Sequence, residues 1–318
     1  VDLSKVGAAL STANYLYVAP ALLFTFSGYL LRTARWKIIL EPAKRLPFGS
    51  VFTVLIIGFA ANNLLPARIG ELVRAYTLGR KVNLSKSLAL ATIVVERVCD
   101  GLALLGFLVA MALVYTLPGW GKILAKGGAV VFGTATAGLL LLMFQERLTV
   151  RIVEAVMRPF PRRLTAWGNR MVRFFLEGLH VLRSGRSLAL ILVLSVLVWT
   201  CEAASYLMLI LAFALPIEGV SRIYAAVFLL TAINLGNIVP TAPGFVGTFE
   251  GFAVLALTTF SPAVSKETAV ALAAVSHFYQ YTLITGLGLF FLWREGLSLR
   301  AVEQSVQEGG TASAVERT

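Results

Sequence analysis

Apolar residues in this chain come in long unbroken blocks, without the strict alternation of a strand or the single stripe of a surface helix. Residues 15–31, 87–117, 124–144, 187–215 and 269–293 each form such a block, and each is long enough for the ~17–25 residues that cross a bilayer's hydrocarbon core. They predict five membrane-spanning helices. Two further blocks are shorter and end abruptly. Residues 50–65 run into NNLLPARIGELVRA (62–75), and residues 223–233 run into NLGNIVPTAPGFVGTFE (234–250). In each, an apolar run meets an asparagine-containing turn with proline and glycine, and a short helix restarts with a glutamate in its first turn. Asn63, Pro66, Gly70 and Glu71 correspond loosely to Asn237, Pro240, Gly247 and Glu250.

These two broken segments read as re-entrant hairpins. Irregular backbone at membrane depth is tolerated only when it is buried in protein or lines a wet cavity. The spans that follow the hairpins also resemble each other, LALATIVVERVCDGLALLG from Leu88 and VALAAVSHFYQYTLITGLG from Val270. The expected fold is therefore an all-α integral membrane protein with an inverted-topology repeat, about five full spans and two re-entrant hairpins. It divides into repeat 1 at about 15–117, a span and an amphipathic connection at 124–187, and repeat 2 at about 188–293. Residues 1–300 make one polytopic domain, and the small polar residues of 301–318 predict a disordered tail.

Composition agrees with the pattern. Of 318 residues 58% are hydrophobic and 14% charged, against about 25% charged in soluble domains, and the mean hydropathy is +0.82. The formal charge of +12 would suit a nucleic-acid partner, but its distribution excludes one. Arg32, Arg35, Lys37, Lys44 and Arg45 follow the first block, nine arginines crowd 147–186, and Arg294 and Arg300 follow the last, while the alternate connections hold few bases. This is the positive-inside bias, and it predicts a cytoplasmic C-terminus. The stretch 146–186 reads either as two amphipathic segments, broken at Pro159–Pro161 and lying on the anionic leaflet surface, or as ordinary positive-inside loop charge. Residues 1–14 are too polar for a signal-peptide core, and the first residue is Val, so a segment upstream is expected. Cys99 and Cys201 sit in apolar runs without metal or redox spacing, and no cofactor is expected.

The candidate chemistry lies where charge enters the apolar blocks. Glu96, Arg97 and Asp100 interrupt a spanning helix, at a cost of roughly 2.5–3.5 kcal/mol each unless paired or facing a polar cavity. Arg97 and Asp100 are three apart and share a face, as do Glu71 and Arg74. The restarted helices turn their N-terminal N–H groups inward, which favours an anion, and Arg68 adds a fork suited to phosphate. Glu250 lacks a base in its own hairpin and is expected either to hold its proton in a dry setting or to pair with Arg68 or Arg97. Glu202 is a further intramembrane carboxylate with no partner evident in the sequence, and His277 reads as a hydrogen-bonded structural histidine. The candidate binding residues are Asn63, Arg68, Glu71, Arg74, Glu96, Arg97, Asp100, Asn237, Thr248 and Glu250, with Glu250, Asp100 and His277 as coupling candidates.

NNLLPARIGELVRAY, ATIVVERVCDGLALL and IVPTAPGFVGTFEG together resemble the lysylphosphatidylglycerol-synthase transmembrane (flippase-like) family, including the flippase half of the multiple peptide resistance factor. The likeness runs from about Tyr15 to Trp293. It implies a multi-pass protein of a prokaryotic plasma (inner) membrane that moves an anionic or aminoacylated phospholipid, or an isoprenoid-phosphate lipid, between leaflets. The synthase activity is not carried over, since no soluble aminoacyltransferase domain follows Trp293 in this sequence; the expected role is non-enzymatic, and the resemblance admits a lipid-modifying enzyme or glycosyltransferase as partner. Family members commonly carry another N-terminal helix. Two other readings stay open from the residues: a membrane enzyme acting on a lipid phosphate, and a polar-solute or ion carrier. The oligomeric state is open too.

Overall fold

A computed structural model describes residues 1–65, 69–144, 184–236 and 243–297. The described residues are helical throughout: α1 Leu3–Thr12, α2 Val18–Leu40, α3 Phe48–Leu64, α4 Gly70–Val82, α5 Lys86–Val114, α6 Gly119–Phe144, α7 Gly185–Ala212, α8 Ser221–Gly236, α9 Thr248–Phe260 and α10 Lys266–Arg294. One-turn 3-10 helices lie at Tyr15–Tyr17 and Pro243–Phe245. Pro66, Ala67, Arg68, Asn237, Pro240, the amphipathic connection with His180, and the tail fall outside the described residues.

The apolar blocks became helices for local reasons as well as for their composition. Side-chain oxygens of Ser184 and Ser265 accept the N–H groups of Ser187 and Thr268, satisfying donors that a helix N-terminus leaves open. Asn83 takes a left-handed conformation (φ 51°) and stops α4. Outward-facing side chains are apolar, with Leu113 83% and Phe278 72% exposed, a surface suited to lipid. Lys86–Val114, Gly185–Ala212 and Pro243–Phe260 are long and apolar enough to cross a membrane, and the bent pair Leu3–Thr12 and Tyr15–Leu40 makes a fourth.

That roster differs from the five expected spans in four places. Pro243–Phe260, expected as the short return arm of the second hairpin, is itself long and apolar enough to cross. Residues 1–14 form α1, set at 73° to the helix that follows. The first span runs past residue 31 to Leu40, because Arg32 and Arg35 find carboxylates inside the protein and need not mark a membrane edge. The expected spans at 124–144 and 269–293 are helices of spanning length, 26 and 29 residues, the latter made less apolar by His277, Gln280 and its tyrosines.

Both halves are assembled alike. In the first, α2 leads to a hairpin of α3 and α4 and then to α5; in the second, α7 leads to a hairpin of α8 and α9 and then to α10. The counterpart spans α2 and α7 lie side by side and run in opposite directions. Asn14 N–H donates to the Ala212 carbonyl at 2.8 Å, Thr25 meets Ser205 at 3.0 Å, and Arg35 reaches Ser195 at 2.8 Å. Antiparallel counterparts are what an inverted repeat requires. The halves also interlock, α10 packing on α3 and α5 on α8.

Close approach of these helices depends on small residues, as expected where lipid supplies no hydrophobic drive to association. A Cβ on Gly70 would sit 2.2 Å from the Gly58 carbonyl oxygen and 2.4 Å from Asn62 Oδ1, so only glycine lets α4 start against α3. A Cβ on Gly288 of α10 would lie 2.2 Å from the Ala60 Cβ on α3. Gly288→Ala is therefore expected to lower stability by about 1–3 kcal/mol through overpacking. Thermal unfolding in detergent measures it, and an unchanged melting temperature would show that the two helices can separate freely.

Candidate functional site

Helix α5 supplies the centre of the site. Glu96 and Asp100, one turn apart, are buried at 0% and 4% exposure, and each is surrounded by guanidinium groups from its own and other helices. Arg74 of α4 grips Glu96 with both terminal nitrogens, at 2.5 and 3.3 Å. Arg35 of α2 lies 3.3 Å from Glu96 and 2.6 Å from Asp100. Arg97 touches both carboxylates, at 3.0 and 3.1 Å. Arg32 of α2 lies 3.5 Å from Asp100 and 3.0 Å from Glu202 of α7, and Trp199 adds an indole N–H to Asp100 at 3.1 Å.

Four arginines thus share three carboxylates. Isolated buried ions would cost several kcal/mol each, and mutual pairing offsets much of that cost, although the Nε atoms of Arg35, Arg74 and Arg97 are buried without a hydrogen bond. Rings do the rest. The Arg74 guanidinium stacks 3.6 Å from the centre of Trp36 and that of Arg32 4.5 Å from Trp199, each a cation–π contact strengthened by desolvation. The Trp36 indole is fixed in turn by donating to Thr92 Oγ1 at 3.0 Å.

One face of this network opens on a cavity of about 270 Å3 between the two hairpins. Arg32, Asp100, Arg97 and Glu202 line one wall; Asn62 and Asn63, at the end of α3, and Glu71, in the first turn of α4, line another. Phe245, Phe249, His277, Gln280 and Tyr281 close it from the second half. Among the described residues Arg97 is the cation most open to this space, its side chain 39% exposed where Arg32 is 7%.

The hairpin tips are tied down by side-chain caps. Asn62 Oδ1 accepts the Gly70 N–H at 2.8 Å, and Asn63 Nδ2 donates to Thr285 of α10 at 3.1 Å. In the second hairpin Glu250 Oε2 accepts the Gly247 N–H at 2.8 Å. Its other oxygen lies 2.5 Å from His277 Nδ1, and His277 Nε2 lies 2.7 Å from the Gly244 carbonyl. Phe249 stacks on the same imidazole at 4.6 Å.

The structure brings Asn63, Glu71, Arg97, Asp100 and His277 to the cavity wall. It sets Arg74 and Glu96 behind that wall as a buried pair, so Arg74 bonds Glu96 and is drawn away from Glu71. Among the described residues Glu250 pairs with His277 of the next helix and not with Arg97, because the first turn of α9 lies against α10. Thr248 is spent on a local turn, donating to the Phe245 carbonyl at 3.0 Å. Arg68 and Asn237 lie outside the described residues. Glu202 gains the partner the sequence did not supply, Arg32. Arg32 and Arg35 were hidden in the sequence by the positive-inside bias, although their spacing of three, inside a run that stays apolar to Leu40, marked them as residues of one buried face.

The sequence matches the family described as "Lysylphosphatidylglycerol synthase TM region" over residues 1–288. The chain belongs to that family. Among similar proteins, a UPF0104 membrane protein of Methanothermobacter thermautotrophicus is 29% identical over 88% of this chain and 86% of its own length. A UPF0104 membrane protein of Methanocaldococcus jannaschii is 24% identical over 91% of this chain and 87% of its own length. Glycosyltransferase AglD of Haloferax volcanii is 26% identical over 96% of this chain, which spans about half, 53%, of AglD. Membership makes this a multi-pass membrane protein, in keeping with its helices.

Proposed function

We propose that this protein carries a phosphate-bearing lipid head group between the leaflets of a prokaryotic plasma membrane, with its C-terminus in the cytoplasm as the charge distribution argues. The observation that carries the reading is the charged cavity between the hairpins, with Arg97 and Arg32 in its wall. Paired, interrupted helices in two inverted halves are where transporters bind their substrates. A guanidinium matches a phosphate with two parallel hydrogen bonds, and Glu71, Glu202 and the aromatic rings would receive the amine of an aminoacylated head group. About 270 Å3 is below the ~300–1,000 Å3 of pockets for drug-sized ligands. It suits a head group whose acyl chains stay in lipid.

Transport fits better than catalysis because Asp100, at the cavity wall, is held by Arg32, Arg35 and Arg97 and so is committed as a fixed charge. The likeness to Glycosyltransferase AglD supports a partnership in which a glycosyltransferase or other lipid-modifying enzyme builds the lipid that this protein moves. The test is leaflet exchange in vesicles containing the purified protein. The probes are fluorescent phosphatidylglycerol, lysylphosphatidylglycerol and an isoprenyl phosphate. Exchange of at least one above protein-free vesicles is expected; exchange of none, with the protein folded, would overturn the reading.

A further inference from the structure

The environment of His277 poses a counting problem. Its Nε2 faces the Gly244 carbonyl at 2.7 Å and its Nδ1 faces Glu250 Oε1 at 2.5 Å. A carbonyl and a carboxylate only accept, while a neutral imidazole carries one N–H. Both contacts are made only if one more proton is present, either on Nδ1 as an imidazolium or on Glu250 as a carboxylic acid donating to Nδ1. Without it, a ring lone pair faces a carboxylate lone pair and one contact must open.

We infer that Glu250 and His277 together form a proton-binding site, and that the bound proton pins the tip of the second hairpin to α10 beside the cavity. The geometry ties proton and tip together directly. The same carboxylate holds the Gly247 N–H and the same ring holds the Gly244 carbonyl, so both ends of the turn between Pro243–Phe245 and α9 hang on one pair. Gly244 and Gly247 have φ of 67° and 87°, conformations that only glycine adopts at little cost, so the turn owes its shape to these bonds and its glycines.

The first half has a counterpart that cannot switch. There Glu71, in the first turn of α4, shares the cavity wall with Arg97 of the following helix; in the second half Glu250, in the first turn of α9, meets His277 of the following helix. Arginine keeps its proton at any physiological pH, whereas histidine exchanges one between about pH 5 and 8. The other charged groups facing the cavity are Arg32 of α2, Asp100 of α5 and Glu202 of α7, with Tyr29, Tyr206 and Tyr281 as neutral phenols. Helix α3 has no ionisable side chain, and α1 meets α10 at its far end, where Asp2 N–H faces Glu267. Release of the proton leaves Glu250 without a matching charge among the described residues of the tip. Use of this proton to couple lipid movement rests on the proposed function; the proton site itself does not.

The chain has two histidines, so His180→Asn leaves His277 as a single reporter. Ring-nitrogen NMR and carboxyl infrared spectra of that protein in nanodiscs, from about pH 5 to 8, locate the proton. The expected result is two N–H groups on His277, or a protonated-carboxyl band that Glu250→Gln removes, with loss of either signal as pH rises. A ring with one N–H and no such band across the range would overturn the site. Because His180→Asn keeps the pair intact, the ring-nitrogen result stands even if Glu250→Gln fails to fold. In vesicles, exchange of fluorescent phosphatidylglycerol should change roughly tenfold over this span and become flat in Glu250→Gln. A bound proton with no lipid moving at any pH would keep the proton site and discard the transport reading; pH-independent movement without the proton would do the reverse.

Discussion

Replacing Arg35 with methionine is expected to destabilise the protein by about 3–5 kcal/mol, the cost of breaking a buried ion pair from one side. Arg35 is 0% exposed and touches Glu96, Asp100 and Ser195. Methionine fills the space but leaves the two carboxylates short of one cation at the centre of the molecule. Arg35→Lys should recover part of the loss, since it restores the charge without the fork that spans both carboxylates. Thermal unfolding in detergent reads both variants. A methionine variant as stable as the parent would mean that Glu96 or Asp100 is neutral in the folded state and that the network is not ionic.

Arg97→Ala should instead spare the fold and cripple movement. Glu96 would keep Arg35 and Arg74, and Asp100 would keep Arg32, Arg35 and Trp199. What is lost is the cation most open to the cavity. If it binds a phosphate, the missing charge-assisted bond is worth about 1.5–3 kcal/mol, or roughly 10–100-fold in the exchange rate of an anionic lipid. Leaflet exchange with phosphatidylglycerol checks it. An unchanged rate in a folded variant would remove Arg97 from the binding site and leave Arg32 and the hairpin tips to carry it.

Much of this architecture could be read from the chain because lipid imposes simple rules on sequence. The half-length blocks before NNLLPARIG and NLGNIVPTAPG had to be helices that stop inside the protein, and α3 and α8 are those helices. Glu96, Arg97 and Asp100 had to be paired or facing a polar space, and they are. Pairing choices were less legible. Glu71 and Arg74 sit at a spacing that allows a local pair, yet tertiary packing places Arg74 between Trp36 and Glu96. Arg32 and Arg35 looked like ordinary charges at a membrane edge because the count of bases by loop takes no account of depth. His277 carried no local sign of its role, since its partner lies 27 positions away on another helix.

The interlocked packing of the two halves limits how the molecule can move. In many inverted-repeat transporters one half tilts as a solid block against the other. Here the hairpin of each half is seated on the final span of the opposite half, and the antiparallel α2–α7 seam is stitched from Asn14 to Arg35. A tilt about that seam would peel α3 from α10 and α8 from α5 at once, including the glycine-to-alanine contact at Gly288. Movement of a lipid as proposed would therefore leave the frame closed like clasped hands and work at a finer grain, through single fastenings such as the Glu250–His277 pair.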